Sequence, residues 1–287
     1  MTALTIGVFD GVHRGHQALL TTAAASRLPV VALTFDPHPA TLFSPARTPQ
    51  TLGTLSERVA LLKAHGAHEV QVLRFDRALA AHTPEEFVER ILRPLEPALL
   101  VVGEDFRFGC ERRGDVSTLR ALGLEVAIVP PVFVNGIPAR STTIRQMLAG
   151  GQVGEAAHLL GRAYLLSGEV VPGRKLGRTI GYPTANLATE AGVLIPASGV
   201  YAGRVQLAGG RHCRAAISVG TNPTVTTHGP LTVEAFLMDG FEEDLYGQRI
   251  ALEFVHFLRG TVQFPGLEPL LVQMAQDVAQ TQQLISL

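Results

Sequence analysis

Apolar residues follow two different rhythms along the chain. Over the first 150 residues, short apolar runs at 3–9, 30–35, 69–73, 98–102 and 124–129 have the length and the Val, Leu and Ile content of buried strands. Helical spacing fills the gaps, at 16–26, 54–65, 84–92 and 115–121. Thr54 with Glu57, and Thr83 with Glu86, have the capping-box spacing of helix starts. Strands that alternate with helices predict a doubly wound parallel sheet, Rossmann-like, whose ligands lie beyond the carboxyl ends of its strands. That rule gathers residues 9–11, 35–39 and 103–109 around one crevice.

The rhythm changes near Gly150-Gly151. Helical patterns at 143–149 and 154–160 have no strand between them, and from Tyr164 strand follows strand: 164–171, 199–207, 213–219, 232–237 and 250–257. Turn signals such as Gly209-Gly210 and Tyr246-Gly247 separate them. Evenly spaced short strands predict a small closed β-barrel. Apolar positions 267, 270, 271, 274, 278 and 284 predict one amphipathic helix packed across it. The expected division is therefore two domains of different class, 1–152 and 153–287.

Composition narrows the chemistry. Lys and Arg (24) nearly balance Asp and Glu (25), leaving a formal net charge of −1, so no basic stripe favours a polynucleotide partner. The two cysteines, Cys110 and Cys213, form no C-x-x-C pair, which argues against a zinc site or a disulfide framework and for a reducing, cytoplasmic setting. No apolar run approaches the ~20 residues of a membrane-spanning helix, and no membrane partner is expected. The pattern does not determine an oligomeric state.

The segment Gly7-Val8-Phe9-Asp10-Gly11-Val12-His13-Arg14-Gly15-His16 joins the first strand to a helix expected to begin at the second histidine. A helix start presents unpaired N–H groups and a positive dipole end, which suit an anion. Gly15 lets the backbone come close while both imidazoles face the same point. The pair alone is also compatible with two solvent-facing loop histidines, and a zinc pair lacks third and fourth ligands at suitable spacing. In the second half, Gly173, Gly177 and Gly181 interleave with Lys175 and Arg178 ahead of Tyr182-Pro183-Thr184-Ala185-Asn186, a turn able to fold around phosphate. Neither the P-loop spacing nor the protein-kinase motifs occur. On an extended chain Thr184 and Asn186 aim oxygens the same way, toward a hard cation; a structural turn also explains that tetrapeptide by itself.

The motifs carry a family resemblance. H-x-G-H after the first strand is the mark of nucleotidylyltransferases, and the full string resembles the adenylyltransferase half of bacterial bifunctional riboflavin kinase/FAD synthetases. Thr34-Phe35-Asp36-Pro37-His38-Pro39, Val102-Gly103-Glu104-Asp105-Phe106-Arg107-Phe108-Gly109 and Ser141-Thr142-Thr143-Ile144-Arg145 match it in order. The string from Gly168 to Leu187, with Val233-Glu234-Ala235-Phe236-Leu237, resembles riboflavin kinase. The resemblance implies riboflavin phosphorylation to FMN and FMN adenylylation to FAD, with ATP as co-substrate of both.

It gives His13 and His16 the ATP phosphates in the transition state. Gly7, Phe9, Asp10, Gly11, Gly15 and His38 belong to the same pocket, and Ser141, Thr142 and Arg145 hold the β- and γ-phosphates. Asp105, Phe106 and Phe108 contact the flavin there. In the kinase half it implies nucleotide binding by Gly173, Lys175, Gly177, Arg178, Gly181, Thr184 and Asn186. Mg²⁺ falls to Thr184 and Asn186, the general base is Glu234, and Arg259 contacts flavin.

Two positions depart from the family pattern: Arg140 stands where the family has Ser, and Phe236 replaces a polar residue. They leave open a chain that keeps one activity, or a flavin-binding regulatory protein on the same scaffold.

Overall fold

The computed structural model describes residues 1–173, 181–221, 231–239 and 244–286. The chain forms two compact units, Met1–Ser141 and Thr142–Leu287.

The first unit is built on five parallel strands, β1 (Thr2–Ile6), β2 (Val30–Asp36), β3 (Glu69–Arg74), β4 (Pro97–Gly103) and β5 (Val126–Val129), in the order β3-β2-β1-β4-β5. Helices α1 (Arg14–Ala25), α2 (Pro39–Phe43), α3 (Leu55–Ala64), α4 (Arg77–Ala80), α5 (Pro84–Phe87) and α6 (Val116–Ala121) fill the connections. Successive strand residues serve opposite layers, as a sheet covered on both faces requires. Leu4, Ile6, Leu33, Leu100 and Val102 meet Phe87, Val88, Leu92 and Leu119. Ala3, Val30, Ala32 and Val101 meet Leu19, Leu20 and Ala23 of α1 and Leu62 of α3. The strand order reverses on either side of β1, which puts the switch point at the carboxyl ends of β1 and β4.

Local details differ from the sequence reading. β1 stops at Ile6 instead of running to Phe9, because Phe9 adopts a left-handed conformation (φ 53°) that ends an extended strand. α1 begins at Arg14, two residues before His16; His13 is extended (φ −70°, ψ 174°) and is its N-terminal flanking residue, so His16 lies in the first turn. Residues 84–92 are helical as expected, but the α-helical turn Pro84–Phe87 passes into a π-helical turn, Val88–Leu92. A short hairpin, β6 (Phe133–Val134) and β7 (Ile137–Pro138), was not anticipated.

From the last residue of the first unit, α7 (Ser141–Ala149) runs into the second, where α8 (Val153–Leu160) leads into β8 (Tyr164–Val171), β9 (Thr184–Thr189), β10 (Gly199–Gln206), β11 (His212–Thr221), β12 (Leu231–Leu237) and β13 (Arg249–Arg259). These six close into a barrel in the order β10-β11-β12-β9-β8-β13. Its interior holds Tyr164, Tyr201 and Phe254, each no more than 1% exposed. The Tyr201 and Phe254 rings meet edge to face at 5.1 Å. Both tyrosine hydroxyls find carbonyls, those of Leu194 and Ala197, at 2.5 Å, so the rings are buried without stranding a polar group. Burial lifts the Tyr201 pKa to about 12, so the hydroxyl stays protonated.

The C-terminal helix, Leu267–Leu284, packs on β10, β11 and β13. Its most buried helical residues are polar, Asp277 and Thr281, while Leu267 and Leu284 of the expected apolar stripe are more than 40% exposed. Asp277 is buried because it receives Arg259 from β13, with Nε and a terminal nitrogen on the carboxylate at 3.0 and 2.7 Å.

Candidate active sites

A cleft of about 290 Å³ opens at the switch point of the parallel sheet. Gly7 at the end of β1, Asp105 and Phe106 beyond β4, and His13, His16 and Ser141 are among the residues that line it. The two imidazoles stack nearly parallel, with centroids 3.7 Å apart, and the Phe9 ring meets His16 edge-on at 5.1 Å. Gly15 sits tightly between them: a Cβ there would stand 3.1 Å from the Ala139 carbonyl and 3.1 Å from the His13 ring, so a neighbour would have to give way.

Burial, then the neighbouring His13 and Arg58, hold the His16 pKa well below its ordinary value. His16 is therefore a neutral ring, a hydrogen-bonding group and not a fixed charge. Its Nδ1 is buried and has no hydrogen-bond partner among the described residues.

The turn that carries this pair is held from below. Asp10, 3% exposed, accepts the Leu52 N–H at 2.7 Å, and its carbonyl accepts the Ser141 hydroxyl at 2.9 Å. Ser141 is thereby fixed at the start of α7, with Thr142 and Arg145 following on the same helix and bonded to each other at 3.5 Å. Arg58, which the sequence reading passed over, is 5% exposed and donates to the Phe35 carbonyl at 2.9 Å and the Thr34 hydroxyl at 3.3 Å. Thr34 in turn donates to the Val8 carbonyl, so Arg58 ties together the ends of β1 and β2.

The remaining expected residues fall outside the cleft lining. His38 caps α2, its Nδ1 accepting the Ala40 N–H at 3.1 Å, which fixes the proton on Nε2. Phe108 is 7% exposed in the core, 5.7 Å from Phe87 and stacked on Phe106 at 5.6 Å. Gly11 turns the backbone beneath the pair with φ 77°.

The second site lies on the outer wall of the barrel. Val233, Ala235 and Leu237 of β12 point inward and are buried, which turns Thr232, Glu234 and Phe236 outward. In register with β12, Asn186 of β9 stands opposite Glu234 and Thr184 opposite Phe236. The Thr184 hydroxyl donates to the Glu234 carboxylate at 3.1 Å. The backbone of Gly173 lies so close that a Cβ there would be 2.1 Å from the Asn186 amide nitrogen. Phe236 meets Tyr182 edge to face at 5.1 Å, extending the same face as an aromatic wall.

Gly181 takes a left-handed conformation (φ 85°), while Lys175, Gly177 and Arg178 lie outside the described residues. Arg259, expected near flavin, has its guanidinium on Asp277 and the Gly260 carbonyl. Thr184, Asn186 and Glu234 offer a hydroxyl, an amide and one carboxylate. That hard-oxygen set fits Mg²⁺, which takes one or two carboxylates and completes its shell with water and substrate phosphate. Among the described residues no cluster of His, Cys, Asp and Glu offers a softer metal a site.

A nucleotide-type cleft on a parallel sheet and a polar cluster on a closed barrel define a two-domain transferase with two separate centres. Two family models divide the chain in the same way, FAD synthetase over residues 1–143 and riboflavin kinase over residues 160–285. The bifunctional riboflavin kinase/FMN adenylyltransferase of Escherichia coli K12 is 38% identical over 96% of this chain and 90% of its own length. That of Haemophilus influenzae is 36% identical over 96% and 92%. The chain belongs to the bifunctional riboflavin kinase/FMN adenylyltransferase family. It phosphorylates riboflavin to FMN and adenylylates FMN to FAD with release of pyrophosphate, using ATP in both steps.

The fold recurs in a crystal structure from Streptococcus pneumoniae described as a macrolide-efflux protein, with a TM-score of 0.90 at 33% identity over 98% of this chain and 94% of that one. No helix among the described residues is long and apolar enough to cross a membrane.

Proposed function

We propose that the two transfers are carried by the stacked His13–His16 pair in the cleft and by Glu234 with Thr184 and Asn186 on the barrel wall. The hydrogen-bonded, register-matched cluster of those last three residues is the observation that carries the assignment. In the kinase step Glu234 takes the proton from the terminal hydroxyl of riboflavin as its oxygen bonds to the γ-phosphorus of ATP and ADP leaves. Thr184 orients the carboxylate. Thr184 and Asn186 would hold Mg²⁺ on the ATP phosphates, where the ion supplies charge neutralisation. Gly173 and Gly181, with Lys175, Gly177 and Arg178, are assigned to the same nucleotide.

In the adenylyl transfer an FMN phosphate oxygen bonds to the α-phosphorus of ATP, and the bond to the β-phosphate breaks. No protein nucleophile is needed, so the residues act by alignment and by hydrogen bonds to developing charge. The neutral His16 donates through a ring N–H, with His13 stacked beside it. Ser141, Thr142 and Arg145 are assigned to the β- and γ-phosphates, and His38 to the same nucleotide through Nε2. Asp105 and Phe106, at the cleft mouth, are assigned to the flavin; Phe108 supports Phe106 from the core.

The functional limits are placed at 1–152 and 153–287, which keeps α7 whole with the adenylyltransferase half. The expected setting is the cytoplasm, in keeping with two free cysteines.

The direct test is a time course with purified chain, riboflavin and MgATP. FMN rising first and FAD later is the expected result. FMN without FAD would remove the role given to the histidine cleft. FAD from added FMN, but nothing from riboflavin, would remove the role given to Glu234.

A further inference from the structure

Among the described residues that line the adenylyltransferase cleft, one carries a permanent positive charge, and it is Arg140. His16 is held neutral by burial and its neighbours, and the other charged lining residues, Glu104 and Asp105, are acidic. A cleft that must receive a triphosphate and a flavin phosphate thus faces them with a single guanidinium on its lining.

The backbone at that position is fixed. The next residue, Ser141, is anchored to the Asp10 carbonyl, and the preceding carbonyl, of Ala139, lies against Gly15 between the two histidines. The side chain itself is loosely held. Its ion-pair partner is Asp105 at 4.0 Å, with the two side chains 60% and 87% exposed. Such a solvent-screened pair at the limit of contact holds a guanidinium near the cleft without consuming it. A phosphate offers two oxygens matched to the guanidinium fork, a stronger acceptor than a distant exposed carboxylate.

We propose that Arg140 is a substrate-binding residue of the cleft: it leaves Asp105 for a substrate phosphate and sets the affinity of the adenylylation site for phosphorylated ligands. The proposal rests on the reading of this cleft as the FMN adenylylation site. The phosphate belongs to FMN or to ATP, and kinetics separate the two.

The experiment uses the full chain with Arg140→Ser and Arg140→Lys. KM and kcat for FAD formation are measured against FMN and against ATP; riboflavin phosphorylation on the other unit normalises the amount of active chain, and an unchanged kcat for FAD formation reports a folded first unit. In Arg140→Ser one KM rises about tenfold, the loss of one charge-assisted contact, while kcat changes little. A rise against FMN assigns the flavin phosphate, and a rise against ATP assigns the triphosphate. Arg140→Lys, which keeps the charge without the fork, recovers part of the loss. Both KM values within about twofold of wild type in Arg140→Ser would overturn the proposal. Failure of the unaltered chain to make FAD from FMN would instead overturn the reading of the cleft, and this proposal with it.

Discussion

The Thr184 hydroxyl donates to the Glu234 carboxylate at 3.1 Å, across two antiparallel strands whose register sets Asn186 directly opposite the same glutamate. Three side chains assigned to the kinase site, separated by up to 50 residues in sequence, therefore share one outer face. A slip of β12 by one residue would send Glu234 to the other face, away from Thr184 and Asn186. The barrel's hydrophobic alternation guards against this, because the same shift would expose Val233, Ala235 and Leu237.

Glu234→Gln keeps the shape of the side chain and the bond from Thr184 but removes the proton acceptor. FMN formation is expected to slow by roughly 10²- to 10⁴-fold, with FAD formation from supplied FMN unchanged. Initial rates of the two steps, assayed separately, check this; a loss within a few-fold would show that Glu234 is not the base.

His16→Ala removes a hydrogen-bond donor from the cleft while leaving the barrel untouched. FAD formation should fall by about 10²-fold or more, the usual cost of removing one donor to developing charge, with riboflavin phosphorylation retained. Intact FAD formation in this variant would end the phosphate role given to the pair.

The same residue gives the first unit a dependence on acidity. Burial, together with His13 and Arg58, keeps His16 neutral when folded, whereas in the unfolded chain it takes up a proton near its ordinary pKa of 6.5. Below that value the unfolded state binds more protons, so stability falls as pH falls. The midpoint of thermal unfolding of this unit should drop between about pH 7 and about pH 5.5, and drop less in His16→Gln. Equal slopes in the two proteins would contradict the sign or the site.

Gly173→Ala places a methyl group where the Asn186 amide now lies, 2.1 Å from its nitrogen. Asn186 or the strand end must move. Kinase activity is expected to fall on the order of a hundredfold, as for a misplacement of about 1 Å in a reacting constellation. Circular dichroism should show the barrel folded; wild-type kinase rates would mean Asn186 does not need its present position.

Arg259→Met leaves Asp277, 4% exposed, without its guanidinium. The barrel unit should lose about 3 kcal/mol, at the low end for breaking a buried pair from one side. Denaturant unfolding measures it, and Arg259→Met combined with Asp277→Leu should recover part of the loss.

Much of this was legible in the sequence, for physical reasons that differ by element. Strands such as Val30–Asp36 are covered on both faces and announce themselves as apolar runs. β9 does not. Thr-Ala-Asn-Leu-Ala-Thr buries only Leu187, because its other residues serve the outer wall, so no alternation marks it and no strand was expected there. Asn135-Gly136, with φ of 52° and 76°, carries the signature of a tight hairpin turn, but arms of two residues are too short for hydrophobic period to register. The cleft residues were found because His13, Gly15 and His16 are adjacent in sequence. Arg58 was not, because its work is done through contacts from a separate helix to Thr34 and Phe35, which spacing along the chain cannot express.

Tyr164, Tyr201 and Phe254 fill the middle of the barrel, so that part of the molecule is a pillar and not a vessel. The residues assigned to substrate stand on its outer skin, where an aromatic wall of Tyr182 and Phe236 adjoins Thr184, Asn186 and Glu234. An enzyme that opens its core to a ligand must trade cohesion for access. Here the two demands fall on opposite faces of the same strands, and selection can tighten one without loosening the other.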